Sequence, residues 1–122
     1  MAFRFKSFKV YQNARLYCQL CRKVIKEKIR DKVLADQITR ALNSIVLNIA
    51  EGSADHSDVE FARFLGISVR SVYETVAGCD LAHAYGMMDD KTYDEIETHA
   101  ESLVKQLSAF RSSVLKAKSS KL

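Results

Sequence analysis

The sequence predicts an all-α protein, an antiparallel up-down-up-down four-helix bundle, on three observations. Its 122 residues include no Pro, no Trp and only four Gly, too little turn chemistry for a many-stranded sheet. Apolar residues recur at spacings of three and four in four successive stretches. The polar breaks between those stretches are short, and short connections force consecutive helices to run antiparallel.

The first helix is expected over about 8–29, where Val10, Ala14, Tyr17, Cys21 and Val24 turn one face inward. Arg30-Asp31-Lys32 then reads as a tight polar connection. The second helix, about 33–51, carries Leu34, Ile38, Ala41, Leu42, Ile45 and Ile49 at helical spacing, with Gly52 as a left-handed C-cap. Residues 53–56 form a short loop before Ser57-Asp58-Val59-Glu60, a capping box in which the Ser57 hydroxyl and the Glu60 carboxylate each accept from the other's amide.

The third helix is expected over about 57–86, with Phe61, Leu65, Ser68, Val72, Val76, Cys79 and His83 as its inward stripe and Phe64, Ile67 and Leu81 widening it. Gly66 and Gly78 interrupt its propensity and read as points of close helix approach. Asp89 or Asp90 caps a fourth helix, about 90–117. There Tyr93, Ile96, Ala100, Leu103, Leu107, Phe110, Val114 and Ala117 alternate spacings of three and four. A flexible basic tail follows from about 118, and residues 1–122 read as one domain of ordinary size.

A composition of 48% hydrophobic and 28% charged residues excludes a disordered chain. The basic start lacks the apolar stretch and cleavage site of a signal peptide, and no segment reads as a membrane span. Cys18, Cys21 and Cys79 cannot all pair within one chain, so a reducing cytoplasm without disulfides is expected. The net charge of +4 is unevenly spread. Residues 1–32 hold ten Lys/Arg against two acids, residues 33–110 hold five against thirteen, and residues 111–122 add four uncompensated basic groups. A polyanion partner is the usual meaning of such a footprint, and neighbouring first and last helices would pool it into one surface.

At 100° per residue, Arg15, Arg22, Lys26 and Arg30 gather within about a quarter turn of the first helix, away from its apolar stripe, with Lys23 beside them. Few aromatics interleave with these groups, so phosphate contact is expected rather than base stacking. On the second helix Arg40, Ser44, Asn48 and Glu51 make a polar seam beside the core stripe, with Ser71 and Glu74 of the third helix as partners. Such a seam is expected to be an inter-helix hydrogen-bond network that fixes register, with direct ligand contact as the other reading.

No catalytic, metal or cofactor site is expected. Cys18-x-x-Cys21 lies mid-helix without a second ligand pair, and His56, His83 and His99 are scattered. Asp55, Asp58 and Glu60 resemble a metal cluster, but capping and the helix dipole account for the latter two. Nucleophile, base and oxyanion donor do not converge, and there is no glycine-rich phosphate loop.

Four segments carry a resemblance. They are Phe8-x-Val10-Tyr11-Gln12-x-Ala14; Gln37-x-x-Arg40-Ala41-x-x-Ser44-Ile45-x-x-Asn48-Ile49-Ala50-Glu51-Gly52; Glu60-Phe61-x-Arg63-Phe64-Leu65; and Ser71-x-x-Glu74. In this order, across nearly the whole chain, they resemble the 23S rRNA intervening-sequence protein family. The resemblance implies a four-helix bundle similar to the accessory variability determinants of diversity-generating retroelements. It further implies a ring-shaped homopentamer with a basic, nucleic-acid-binding surface, and a reverse transcriptase as partner in the retroelement relatives. The chain departs from the family pattern at Val46, where proline is common, at Arg70, where glycine is common, and at Thr39, where a second arginine is frequent.

Together these readings predict a non-enzymatic, oligomeric protein that binds RNA or DNA through Arg15, Arg22, Lys23, Lys26 and Arg30 with weak sequence preference. The alternative is a protein-interaction scaffold or adaptor whose basic face matches an acidic partner.

Overall fold

The computed structural model describes residues 2–54 and 57–120, and side chains as far as residue 117. A short 3₁₀ helix, Arg4–Ser7, precedes α1 (Lys9–Lys28), α2 (Lys32–Gly52), α3 (Asp58–Ala84) and α4 (Asp90–Ser120). Helix α1 packs on α2 and α4, and α3 packs on the same two, while the backbones of the diagonal pairs stay apart and α1 reaches α3 through side chains, Tyr17 meeting Thr75. The four helices therefore stand in a square, and the α1/α2 side lies opposite the α3/α4 side. The result is an all-α, antiparallel bundle.

The expected apolar stripes of α1 and α2 are buried at every position, and one core joins them to Phe61, Leu65 and Val72 of α3 and to Ile96, Leu103 and Leu107 of α4. The wider α3 stripe is less regular: Val76 and Ile67 are half-buried and Leu81 is exposed. His83 departs from it altogether. It lies half-buried at the α3/α4 edge, 2.6 Å from an Asp90 carboxylate oxygen and stacked on Tyr93 at 5.3 Å. On α4, Ile96, Ala100, Leu103, Leu107 and Val114 are buried in the core, Tyr93 and Phe110 are half-buried against it, and Ala117 is exposed, so the heptad leaves the core at its last position.

Caps explain most helix boundaries. The Leu34 amide donates to Asp31 Oδ1, the Glu60 amide to Ser57 Oγ at 3.2 Å, and the Thr92 amide to Asp89 Oδ1 at 2.8 Å. Hydrogen bonds from Thr92 hold the Asp89 carboxyl below its ordinary range. The Glu60 carboxylate is gripped by Arg63 at 2.7 and 3.1 Å.

The left-handed cap lies elsewhere than expected. Gly52 is the last residue of α2 and is buried. The positive φ among described glycines is that of Gly86, at 78°. There the Met87 amide donates to the Ala82 carbonyl and the Gly86 amide to that of His83. This pair of bonds is a Schellman motif, and it ends α3 at Ala84 rather than at Gly86. Gly52 serves close packing, since a Cβ there would stand 2.6 Å from Phe64 Cβ. Gly78 does the same against Ile38, with 2.5 Å to its Cγ1, whereas Gly66 has only Arg111 Nε at 3.6 Å and permits no special approach.

The ends differ from expectation too. Arg4 anchors the 3₁₀ helix by donating from Nε to the Ser53 carbonyl at 2.9 Å while its guanidinium lies over the Phe8 and Phe61 rings. Phe8, Phe61 and Phe110 close that end of the core, edge to face on Phe110 at 5.1 and 5.5 Å. Helix α4 continues through Ser120, so residues 118–120 are helical rather than a tail, and Lys121 and Leu122 lie outside the described residues. Asp55 and His56, part of the expected loop, also lie outside them.

Candidate nucleic-acid interface

Half of the polar seam is brought together. Ser71 Oγ on α3 donates to Ser44 Oγ on α2 at 2.8 Å, and Asn48 Nδ2 donates to the Ser44 carbonyl and hydroxyl at 2.8 and 3.0 Å. One turn away, buried Ser68 donates to the Ile45 carbonyl at 2.8 Å. Arg40, Glu51 and Glu74, assigned to the seam from sequence, instead face solvent. Their long side chains swing outward at the seam's edge, where hydration is retained, while the short hydroxyls and the amide fit between the helices.

A second inter-helix bond went unread in the sequence. The Thr75 hydroxyl donates to the Val72 carbonyl, so the buried Tyr17 hydroxyl, 2.7 Å away, must donate to Thr75. Burial raises the Tyr17 pKa. A tyrosine in an apolar stripe signals that some polar partner must exist but not which one.

The basic residues picked from sequence are all exposed. Arg15, Arg22, Lys23 and Lys26 lie on α1, and Arg30 sits in the link that follows it. Arg15 to Lys26 spans about 17 Å of helix. Among the described residues none of the five pairs with a carboxylate; Arg15 rests over the Tyr11 ring at 5.9 Å. The last helix does not extend this patch. Asn13 Nδ2 donates to Gln106 Oε1 at 2.6 Å, which sets the C-terminal half of α4 beside the start of α1. Arg111 and Lys116 therefore belong to the end of the bundle that holds Lys6 and Lys9, away from Lys26 and Arg30. Arg111 also donates to the Ala62 carbonyl at 3.0 Å.

The thiols are poorly suited to chemistry. Burial pushes Cys18 and Cys79 up to about 11, against a nearby Arg22 in the case of Cys18, and raises Cys21 as well. All three are thiols rather than thiolates near neutral pH. Cys18 Sγ donates to the Leu42 carbonyl at 3.2 Å. Among the described residues no group of three His, Cys, Asp or Glu is placed to hold a metal, and no helix is long and apolar enough to cross a membrane.

The 23S rRNA-intervening sequence protein family matches the chain over residues 6–109. The chain belongs to that family. Its matched span takes in α1, α2, α3 and most of α4, and with them the seam and all five basic residues. A solved structure of a protein with unknown function from the S23 ribosomal protein family of Bacteroides thetaiotaomicron superposes with a TM-score of 0.76. It is 21% identical, and the match covers 84% of this chain and 97% of that one, a likeness that establishes the fold. No curated protein matches the chain.

Proposed function

We propose that this family member is a non-enzymatic, oligomeric nucleic-acid-binding protein of the cytoplasm that grips RNA or DNA phosphates through Arg15, Arg22, Lys23, Lys26 and Arg30. The observation that carries the reading is the exposure of five basic side chains on α1 and the link behind it, with no carboxylate among the described residues paired to them. Cationic groups left in water along about 17 Å of rigid helix can neutralise several phosphates and displace their condensed counterions. Contacts of this kind position a polyanion without reading its bases. Family resemblance supports a homopentamer, and for retroelement-type relatives a reverse transcriptase partner. Filter binding across a salt series tests the reading: affinity must fall steeply with salt, and absence of retention at about 50 mM salt rejects it.

A protein adaptor is the second reading, in which the same exposed basic face of α1 matches an acidic protein partner. Reversing Arg22 and Lys26 to Glu separates the two readings when both nucleic acid and protein partner are assayed.

A further inference from the structure

Two grooves lie on opposite sides of the square of helices, and their linings are complementary. The α3/α4 groove, about 660 Å³, has half-buried Val76 and Val104 on its apolar floor, above the already buried Val72 and Ala100. Three carboxylates line it, Asp80 from α3 and Glu97 and Glu101 from α4, against the single ammonium of Lys105. The α1/α2 groove, about 490 Å³, is lined by Arg15 and Arg22 with no carboxylate, and by Val46 and Leu47. Each groove lining also includes a large apolar or aromatic side chain left in water, Tyr73 at 65% and Leu47 at 62% exposure.

We infer that these two surfaces are the halves of one contact between copies of this chain, the α1/α2 side of one seated in the α3/α4 groove of the next. Leu47 and Val46 would cover the apolar floor beside Tyr73, and Arg15 and Arg22 would face Asp80, Glu97 and Glu101. Buried apolar area drives such a contact, and the opposed charges fix its register and exclude like-on-like pairing. A surface that fits a different surface of the same chain makes a head-to-tail interface, which closes into a ring or extends as a filament according to its rotation. The inference deepens the oligomeric part of the proposed function by naming the surface used. It divides the basic face: Arg15 and Arg22 serve the neighbour, while Lys23, Lys26 and Arg30, outside the groove lining, stay open to phosphates.

Charge exchange tests it by sedimentation velocity on nuclease-treated protein. The variant D80K/E101K has two basic sides, and R15E/R22E has two acidic ones. All four side chains are exposed, so circular dichroism should report unchanged folding, with the single changes E101K and R22E as a milder pair should either double variant unfold. Wild type should sediment well above its 13.8 kDa chain mass, and each variant alone should shift toward that mass. A 1:1 mixture should associate again into alternating species of at least two chains, because an acidic side can then meet a basic one. A five-membered ring cannot close on strict alternation, so the readout is a shift above the monomer mass rather than recovery of the wild-type size. Variants that sediment like wild type, or a mixture that stays monomeric, overturn the inference. So does a monomeric wild type, and filter binding, which needs no assembly, would then still judge the nucleic-acid reading separately.

Discussion

Ser71 and Ser44 meet hydroxyl to hydroxyl across the α2/α3 contact at 2.8 Å, and Asn48 converges on the same Ser44 oxygen from one turn along α2. Short polar side chains between helices join them at a fixed register, because sliding either helix would break the bonds. Each such hydrogen bond contributes about 1 kcal/mol net. Asn48→Ala and Ser71→Ala should each lower unfolding free energy by about that amount in urea denaturation. Glu51→Ala, at an exposed side chain, should change it by less than about 0.5 kcal/mol. Nucleic-acid retention per folded protein should be unchanged in all three. Lost retention with intact stability in Asn48→Ala would make the seam a binding site.

The three helical glycines should respond differently to alanine. At Gly78 the added methyl collides with Ile38 Cγ1 at 2.5 Å, and at Gly52 with Phe64 Cβ at 2.6 Å. Overpacking of this kind costs about 1–3 kcal/mol, more than the roughly 1 kcal/mol of helix propensity gained. Gly78→Ala and Gly52→Ala should therefore lower the melting temperature. At Gly66 the nearest atom is 3.6 Å away, so Gly66→Ala should raise it. A double-mutant cycle of Gly78→Ala with Ile38→Ala should be clearly non-additive.

These glycines also mark where the sequence stopped being legible. The four helices, their order and their core faces follow from apolar periodicity, which local sequence carries directly. Gly52 does not, because a glycine at a helix end suits either a left-handed cap or a close approach. The choice depends on Phe61 and Phe64, which come from the next helix. Gly86 suits the end of α3 by spacing but forms the turn beyond it. His83 lies at the edge of its stripe, and its pairing with Asp90 depends on the start of the next helix, which the spacing within α3 does not carry. The seam divided by side-chain length: Ser44, Asn48 and Ser71 fit between helices, while Arg40, Glu51 and Glu74 reach water. Neither the α1/α2 nor the α3/α4 groove is written in any one segment, since each is assembled from two helices.

Buried thiols should give the fold an alkaline limit. Cys18 and Cys79 hold their protons up to about pH 11 in the folded chain but release them near 9 when unfolded. The unfolded state then binds fewer protons, so stability is complete below about pH 8.5 and is lost as pH rises through that interval. Each thiol contributes about 1.4 kcal/mol per pH unit to the slope. Urea titrations between pH 8 and 10.5 should show this decline, and Cys79→Ala should flatten it while lowering overall stability through its cavity. An unchanged slope would mean that Cys79 is not held as a protonated thiol.

The number of phosphate contacts made by the basic helix is read most directly from the slope of log affinity against log salt. Three contacts, from Lys23, Lys26 and Arg30, correspond to a slope of about −2.1 to −2.7, for single- and double-stranded nucleic acid respectively. Lys23→Glu/Lys26→Glu alters two of these three groups and leaves the α1/α2 groove lining untouched. Filter binding of wild type and variant from about 50 to 200 mM salt should give weaker binding and a slope shallower by about 1.5–2 in the variant. An identical slope and affinity in the two proteins would place nucleic acid elsewhere or nowhere, and would contradict the assignment of this face.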